Sequence, residues 1–518
     1  MGKNKQIVIN MIAQIISFLV AIGISFFLTP FMVKNVGSEA YGFVGMANDF
    51  VSYAAVISFA LNSMASRYIT ISLHQEKYED VNKYFTSVLF ANLAISLFLT
   101  IPFTVLLFTL NKFVSIPNNI LLDVTLLLGF VFLNFLLNIM GSVFNISIFS
   151  KNKLNISSSI SIVSSILKAL ILITMFLFLK PSVWYLGFSA VISTIYIIGA
   201  NIYYTKKLLP NVSINRNYFD ISKVKTLISS GLWNSFTKLS SILSTGTDLL
   251  ITNLFISASA MGTLSISKTL PNMILSIFAM LAGAFSPQLT ISYAKKDIKG
   301  MQKELIYSMK IMGLFACIPM AILFAYGDAF YGLWVPSQDA KLLQILSILN
   351  CFAFIFALPM EGLWNIFTVT NKVKQSSIYL FFNSILTIIL VLILLNFSDN
   401  VKTKLFIIAG TSTIFSIIRA LTFLPLYGAR CLNLKWNTFY PVVIKNVIAV
   451  TLVTIISFFI KDIIIIDSWI MLIVAAFLTT IVSIIINFVL ILSKYDRNLL
   501  LKGVKNKITR SKINLKTH

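Results

Sequence analysis

Charge is what this sequence has least of. Only 11% of its residues are Asp, Glu, Lys or Arg, against roughly 25% in an ordinary soluble domain. A chain of 518 residues that is 58% hydrophobic has too little polar surface to cover a water-soluble globule, so its solvent is lipid. Cysteine is scarce as well. Cys317, Cys351 and Cys431 show no paired spacing, which excludes a disulfide framework and leaves three ordinary small residues. Two histidines, one of them C-terminal, exclude a His-rich metal site. There is no Walker loop and no dinucleotide fingerprint, so nothing suggests ATP hydrolysis by this chain. No recognisable catalytic constellation supports an enzyme. The first apolar stretch is too long for a signal peptide, and no small-residue cleavage site follows it.

Long apolar runs are what the sequence has in abundance. A membrane span needs about 20 mostly apolar residues; such runs fall near 8–33, 41–64, 85–110, 120–149, 156–179, 184–205, 228–256, 262–290, 306–327, 341–367, 376–397, 404–428, 442–460 and 469–493. They predict an all-α polytopic membrane protein of about fourteen transmembrane helices. The net charge of +24 raises the question of nucleic acid, but its placement answers it. Counting alternate loops from a cytoplasmic N-terminus, about 29 Lys and Arg fall inside and about 7 outside. That bias places both termini in the cytoplasm and assigns no nucleic-acid partner. The basic tail, residues 494–518, follows the last span. It reads either as a contact with anionic lipid headgroups or as a solvated, silent tail.

Sliding the sequence along itself by about 220 residues exposes an internal repeat. Gly42 falls on Gly262, and Thr70-Ile71-Ser72 falls on Thr290-Ile291-Ser292. In the seventh span Ser230, Asn234, Thr237, Ser241, Ser244 and Asp248 follow steps of 4, 3, 4, 3 and 4, one face of a helix. The first span begins the same stripe with Asn10, Gln14 and Ser17, then loses it. Both copies start on the same side, so the repeat is parallel, with its two-fold axis along the membrane normal. Such a stripe either lines a water-filled cavity or hydrogen-bonds neighbouring helices together.

Charges within spans cost on the order of 3 kcal/mol each and mark candidate sites. They are Asp49, Lys168, Lys238, Asp248, Lys268, Glu361 and Arg419. Lys168 ends its own stripe of Ser157, Ser161 and Ser164 and is the foremost candidate for a cation facing an anionic headgroup. Lys238 lies off the Asp248 stripe. Lys268 and Arg419 lie near span ends, within snorkelling reach of the interface. Arg67 closes the second span, where it reads as a headgroup contact or as a plain positive-inside anchor. Four cations against three acids suit an anion such as a lipid diphosphate better than a cationic drug. Asp248, Glu361 and Asp49 are candidates for coupling to an ion, with structural ion pairs as the alternative for the acids.

The stretch Val36-Gly37-Ser38-Glu39-Ala40-Tyr41-Gly42 resembles the "lG-x-e-x-Y-G" signature of bacterial polysaccharide flippases. Ser66-Arg67-Tyr68, Gly231-Leu232-Trp233-Asn234 and Asp248-Leu249-Leu250-Ile251 resemble further patterns of that family. The superfamily is the multidrug/oligosaccharidyl-lipid/polysaccharide exporter group. The branch it looks like is the O-antigen and capsular-polysaccharide flippases of the Wzx type. The resemblance implies two six-helix lobes with a parallel pseudo-two-fold repeat around a central cavity, plus a C-terminal helix pair. On that layout residues 1–205 form the first lobe, 206–226 a cytoplasmic linker, 227–430 the second lobe, and 431–493 the extra pair. It implies alternating-access transport of an undecaprenyl-diphosphate-linked oligosaccharide across the bacterial cytoplasmic membrane, with no enzymatic activity and no cofactor. Implied partners are that lipid-linked oligosaccharide, membrane lipids, and a polysaccharide polymerase and glycosyltransferases, with the chain itself a monomer. Related lipid II flippases bind Na⁺ through an Asp in the seventh span and polar residues in the eleventh. Asp248 matches the first and Asn383 is the candidate for the second. The eleventh span here has no acid, so the coupling ion is left between Na⁺ and H⁺. Where the family often has a Gly after the seventh span, this chain reads Ser257-Ala258-Ser259-Ala260. Three alternatives stand beside this reading: a drug or organic-cation antiporter, a lipid II-type flippase, and a non-transporting scaffold for polymer synthesis.

Overall fold

The computed structural model describes residues 3–370, 372–493 and 497, and all regular structure among them is helical. A low-charge chain in lipid has little choice. Each backbone N–H and C=O must find its partner inside the chain, and a helix supplies one within its own segment. In chain order the α-helices are α1 (Lys3–His74), α2 (Tyr78–Phe113), α3 (Leu121–Gly141), α4 (Ile146–Ser150), α5 (Leu154–Phe178), α6 (Tyr185–Leu208), α7 (Ile221–Thr245), α8 (Asp248–Phe255) and α9 (Ala258–Ala294). Then follow α10 (Ile298–Trp334), α11 (Ala340–Cys351), α12 (Phe354–Ala357), α13 (Trp364–Val369), α14 (Val373–Leu394), α15 (Val401–Ile418), α16 (Leu424–Cys431), α17 (Tyr440–Ile463) and α18 (Trp469–Leu490).

Among the described residues, twelve helical stretches are long and apolar enough to cross a membrane, and the chain is a multi-pass membrane protein. Hydropathy alone predicts about fourteen, and the difference falls at two places. The longest stretch, Ile12–His74, has 63 residues. A straight helix of that length would run about 95 Å, roughly three times the hydrocarbon thickness of a bilayer. It is not straight. At Gly37 the backbone turns through φ 85°, ψ 158°, a conformation that a side chain disfavours. The two arms, 3–36 and 38–74, correspond to the runs near 8–33 and 41–64. The second place is the run near 228–256. It lies on α7, which is too polar to count among the twelve, and on α8, which at eight residues is too short.

The chain divides into two compact units, residues 1–266 with 373–408, and residues 267–372 with 409–518. In the first unit α7 packs against α1 on one side and α14 on the other. Both seams are close. A Cβ added to Gly231 would lie 2.0 Å from the Ala60 carbonyl oxygen. Across the other seam Ser240 Oγ donates to Ser377 O and Ser384 Oγ donates to Ser240 O, both at 3.1 Å. Gly42 and Gly262, which the repeat superposes, touch each other: a Cβ on Gly42 would meet Gly262 Cα at 2.8 Å. Elsewhere in this unit Asn62, Asn92 and Ser142 bond to one another at 3.0–3.1 Å and tie α1 to α2 and to the end of α3.

The second unit is built around α10, whose face from Met301 to Trp334 is buried against α11, α17 and α18. The last two helices are fastened to it by polar groups. Tyr326 OH pairs with Thr479 Oγ1 at 2.8 Å, and Thr479 with Ser457 at 3.2 Å. Lys461 Nζ reaches both oxygens of Asp328 at 2.6 and 2.7 Å.

Prolines bend this unit, and their consequences are specific. Proline has no N–H to give the carbonyl four residues back. In three places a side chain from another helix gives one instead. Ser347 Oγ donates to Ser267 O before Pro271, at 2.7 Å. Asn446 Nδ2 donates to Ile355 O before Pro359, at 2.7 Å. Tyr440 OH donates to Leu421 O before Pro425, also at 2.7 Å. Two of the three donors come from α17. Helix breaks at membrane depth are tolerated when neighbours satisfy the freed backbone in this way.

Candidate functional site

The first unit holds Lys168, Arg67, Lys238, Asp49, Asp248 and Asn383. Lys168 lies on α5, half-buried, and makes no hydrogen bond or ion pair among the described residues. Its stripe is uneven: Ser164 is buried, Ser157 is half-buried and Ser161 is exposed. The first arm of α1 runs beside α5 in a fixed register. Asn10 Oδ1 accepts from Asn155 N at 3.0 Å, and the Phe31 and Phe176 rings lie 5.1 Å apart. Both pairs are offset by the same 145 positions, which sets Lys168 level with Gly23. A Cβ added to Gly23 would touch nothing within 4 Å. The lysine therefore has room beside it and, among the described residues, no partner. The polar start of the stripe has a different job: Asn10 is buried and caps the beginning of α5, bonding Asn152 as well.

The α7 stripe is not one continuous face. The helix ends at Thr245, Gly246 caps it, and α8 begins at Asp248. Asp248 thus falls after a break and not at the end of an unbroken face. Earlier members bond to neighbours: Ser230 to Tyr68 OH at 3.0 Å, Asn234 to Ser63 at 3.3 Å, and Thr237 to Ser377 at 2.5 Å. For these three, helix-to-helix bonding is what the stripe does. At the break Tyr53 OH donates to Gly246 O. Asp49 and Asp248 both act electrostatically on that phenol, and a Cβ on Gly246 would lie 3.4 Å from Asp49 Oδ1. Asp248 is buried and Asp49 is half-buried. The structure therefore brings two of the predicted acids to one helix break, both within electrostatic reach of Tyr53. Asn383 is buried on α14, and its side chain makes no hydrogen bond among the described residues, to Asp248 or otherwise.

Lys238 is half-buried on α7 without a hydrogen bond or ion pair among the described residues. Arg67 is exposed, beside Tyr68, whose hydroxyl contacts Ser230. Near that end Lys374 Nζ sits 5.1 Å from the centre of the Trp233 ring, a cation over an aromatic face.

The second unit holds Lys268, Glu361 and Arg419. Lys268 is half-buried on α9. Glu361 lies where the helical run from α11 to α13 is interrupted: residues Leu358–Leu363 form a tighter 3₁₀ turn started by Pro359. Arg419 opens a wider π turn, Arg419–Phe423, that precedes Pro425. The Arg419 charge acts on Glu361, and Glu361 makes no hydrogen bond or ion pair within 4 Å among the described residues.

Sequence reasoning singles out these charges but passes over Tyr53, Ser308, Asn446 and Tyr440. None is unusual in its own helix. For Asn446 and Tyr440 the signal is the proline elsewhere that strips a carbonyl of its donor, and the sequence does not say which helix will answer. The basic tail lies outside the described residues apart from Arg497, which donates to Val489 O at 2.7 Å.

Comparison with known proteins gives these arrangements a context. Residues 4–293 match the model of a family described as polysaccharide biosynthesis protein. The chain is 28% identical over 509 residues to EpsK, a membrane protein of Bacillus subtilis (strain 168), covering 98% of this chain and 99% of EpsK. Among solved structures, the lipid II flippase MurJ in an inward closed conformation superposes with a TM-score of 0.65 at 16% identity. It covers 95% of this chain, and all of MurJ is matched. An inward-facing multidrug resistance MATE family transporter of the MOP superfamily superposes with a TM-score of 0.61 at 13% identity, over 82% of this chain and 98% of its own.

Proposed function

Because the chain belongs to the polysaccharide biosynthesis protein family, we propose that it is a flippase, a transporter and not an enzyme, for a lipid-linked oligosaccharide. The substrate we infer is an undecaprenyl-diphosphate-linked repeat unit, moved from the inner to the outer leaflet of a bacterial cytoplasmic membrane by alternating access. The observation that carries the choice over a drug exporter is coverage. The lipid II flippase matches 95% of this chain and the multidrug transporter 82%. The difference is about 67 residues, comparable to the helix pair in residues 431–493. Counting two spans for α1 and one for α7 with α8, the reading has fourteen spans and both termini in the cytoplasm. Lys168 is the best-placed group for a diphosphate oxygen, since among the described residues it has neither a partner nor a crowded neighbour. Arg67, exposed on α1 seven residues before its end at His74, is where a headgroup would first meet the protein. Lys238, Lys268 and Arg419 are further cations for the same anion. Asp49, Asp248 and Asn383 remain candidates for an ion that drives the cycle.

The test is direct transport. Purified protein in vesicles should move a fluorescent undecaprenyl-diphosphate oligosaccharide between leaflets, read by quenching from outside. Lys168→Ala should insert and fold but lose that movement, while Lys180→Ala should keep it. Equal rates for wild type, Lys168→Ala and protein-free vesicles would remove the flippase reading. Movement of organic cations instead would favour the antiporter.

A further inference from the structure

The connection between α6 and α7, residues 209–220, joins the two copies of the repeat and has the length of a loose tether. It is not loose. Leu209 is buried, and Val212 packs against the same apolar cluster, which includes Leu61 and Ile69 of α1 and Phe85 and Val88 of α2. Val224 and Leu227, on the first turns of α7, are buried in that cluster too. Between these apolar ends the backbone is bonded directly to α2. Asn82 Oδ1 accepts from Ser213 N at 3.0 Å. The fully buried Ser87 bonds Asp220 twice: its Oγ accepts from Asp220 N at 2.9 Å and donates to Asp220 O at 3.2 Å. Asp220 is the joint, since its backbone is held by α2 while its own carboxylate caps α7 by accepting from Ser222 N at 2.8 Å. The Phe90 and Phe219 rings lie 6.0 Å apart. At the rim Lys223 Nζ meets Asp80 Oδ1 at 2.7 Å and lies 4.7 Å from the centre of the Tyr84 ring. The repeat does not reproduce this arrangement. Helices α2 and α10 begin 220 residues apart, at Tyr78 and Ile298, yet Asp80, Asn82 and Ser87 fall on Gly300, Gln302 and Tyr307.

We propose that this connection is a permanent strap: it makes the first turns of α7 a fixed part of the body formed by α1 and α2, and it keeps the side of the protein between α2 and α7 shut throughout the working cycle. A contact that opens and closes presents polar surfaces that water can cover when they part. This one is built the other way. Parting it would break the three hydrogen bonds of Ser213 and Asp220, strand the buried side chains of Asn82 and Ser87, and bring Val224 and Leu227 into water. The ion pair is a half-exposed rim, and a pair of that kind holds little by itself. The fastening continues along α7, where Ser235 Oγ donates to Val56 O at 3.1 Å and Gly231 has no space for a side chain against Ala60. On the flippase reading the substrate then enters by another side, and the change of shape passes around the strap.

The consequence for transport rests on the flippase reading; the fastening itself does not, and two measurements separate them. For the first, Cys317, Cys351 and Cys431 are replaced by Ala, and Asp80→Cys with Lys223→Cys is joined by a short bis-thiosulfonate, with completeness read by mass spectrometry. The joined full-length protein should move the fluorescent undecaprenyl-diphosphate oligosaccharide in vesicles within about twofold of the unjoined protein. Movement that stops on joining and returns on reduction would overturn the proposal, because the contact would then have to open. For the second, spin labels are placed at the exposed positions 78 and 225 (Tyr78→Cys with Lys225→Cys) in the same background, in lipid nanodiscs. Their separation should be one narrow distribution, unchanged by adding undecaprenyl diphosphate. A second distance, with or without that lipid, would overturn the strap. Ser87→Ala should broaden the distribution, and a distance as narrow as in the parent would remove Ser87 from the fastening. A single unchanging distance in a protein that moves no glycolipid would leave the strap standing and remove the flippase reading alone. The labelled pair leaves Asp80 and Lys223 intact, so the strap is tested even where the joined variant does not accumulate.

Discussion

The two units use their polar residues in opposite ways. In the first, Ser, Thr and Asn face one another across helix seams whose backbones nearly touch, as at Gly231 and Ala60 or along Ser240, Ser377 and Ser384. Along those seams the helices approach closely. In the second, side chains answer carbonyls that prolines have stripped of donors, at Ser267, Ile355 and Leu421. The helices there are irregular and the side chains complete them. The lesson concerns where change is tolerated. A close seam fails when something is added, and a completed break fails when something is taken away.

The largest effect should come from addition in the first unit. Gly231→Val would force a Cβ into the 2.0 Å space at Ala60 O, costing about 3 kcal/mol as overpacking. Thermal unfolding in detergent should show it, with Gly199→Ala, where nothing lies within 4 Å, as the unaffected control. A Gly231→Val protein as stable as wild type would break the comparison.

Removal in the second unit comes next. Asn446→Leu leaves Ile355 O without its donor and should cost about 2 kcal/mol. Pro359→Ala in the same chain should recover most of that loss, because alanine supplies the missing N–H. The same rescue for Tyr440→Phe with Pro425→Ala would sharpen the point. Additive losses in either double mutant would show that the side chain does not answer the proline. Removing one member of a first-unit cluster should matter less. Asn92→Ala breaks bonds to Asn62 and Ser142 and should cost about 1 kcal/mol, the scale of hydrogen bonds between membrane helices.

The smallest effect is a pH dependence at the start of α7. Asp220 accepts hydrogen bonds from Ser222, which hold its carboxyl below the usual carboxylate range. A lowered folded value means that the stabilisation is present above the unfolded value, near 4. It disappears as pH falls through the folded value. Melting temperatures should therefore decline below about pH 4 slightly more steeply for wild type than for Asp220→Asn. Parallel curves would assign the cap no linked proton.

Hydropathy makes nearly every span legible, because the bilayer imposes one length and one polarity on each. It does not show where a span is interrupted. The α7 stripe has helical spacing through Asp248, yet the chain breaks at Gly246, since spacing records a face and not the bonds along it. Glu361 and Arg419 stand out as charges, but their irregular turns depend on prolines two and six residues away. The partners of those prolines both lie on α17, 91 residues away for Ile355 and Asn446 and 19 for Leu421 and Tyr440. Gly42 and Gly262 are the reverse case. The repeat aligns them, and only the fold brings them into contact.

That 91-residue separation also bears on biosynthesis. A membrane protein is made from its N-terminus, so Ile355 enters the bilayer well before Asn446 exists. Until α17 is inserted, the carbonyls ahead of Pro359 and Pro425 lack their side-chain donors in a medium that offers no others. The middle of the second unit therefore cannot settle when it is translated. It must wait, sheltered by the insertion machinery or by lipid headgroups, for a helix near the end of the message. Nascent chains stopped before residue 440 should expose those spans to proteolysis, and chains stopped after 463 should not.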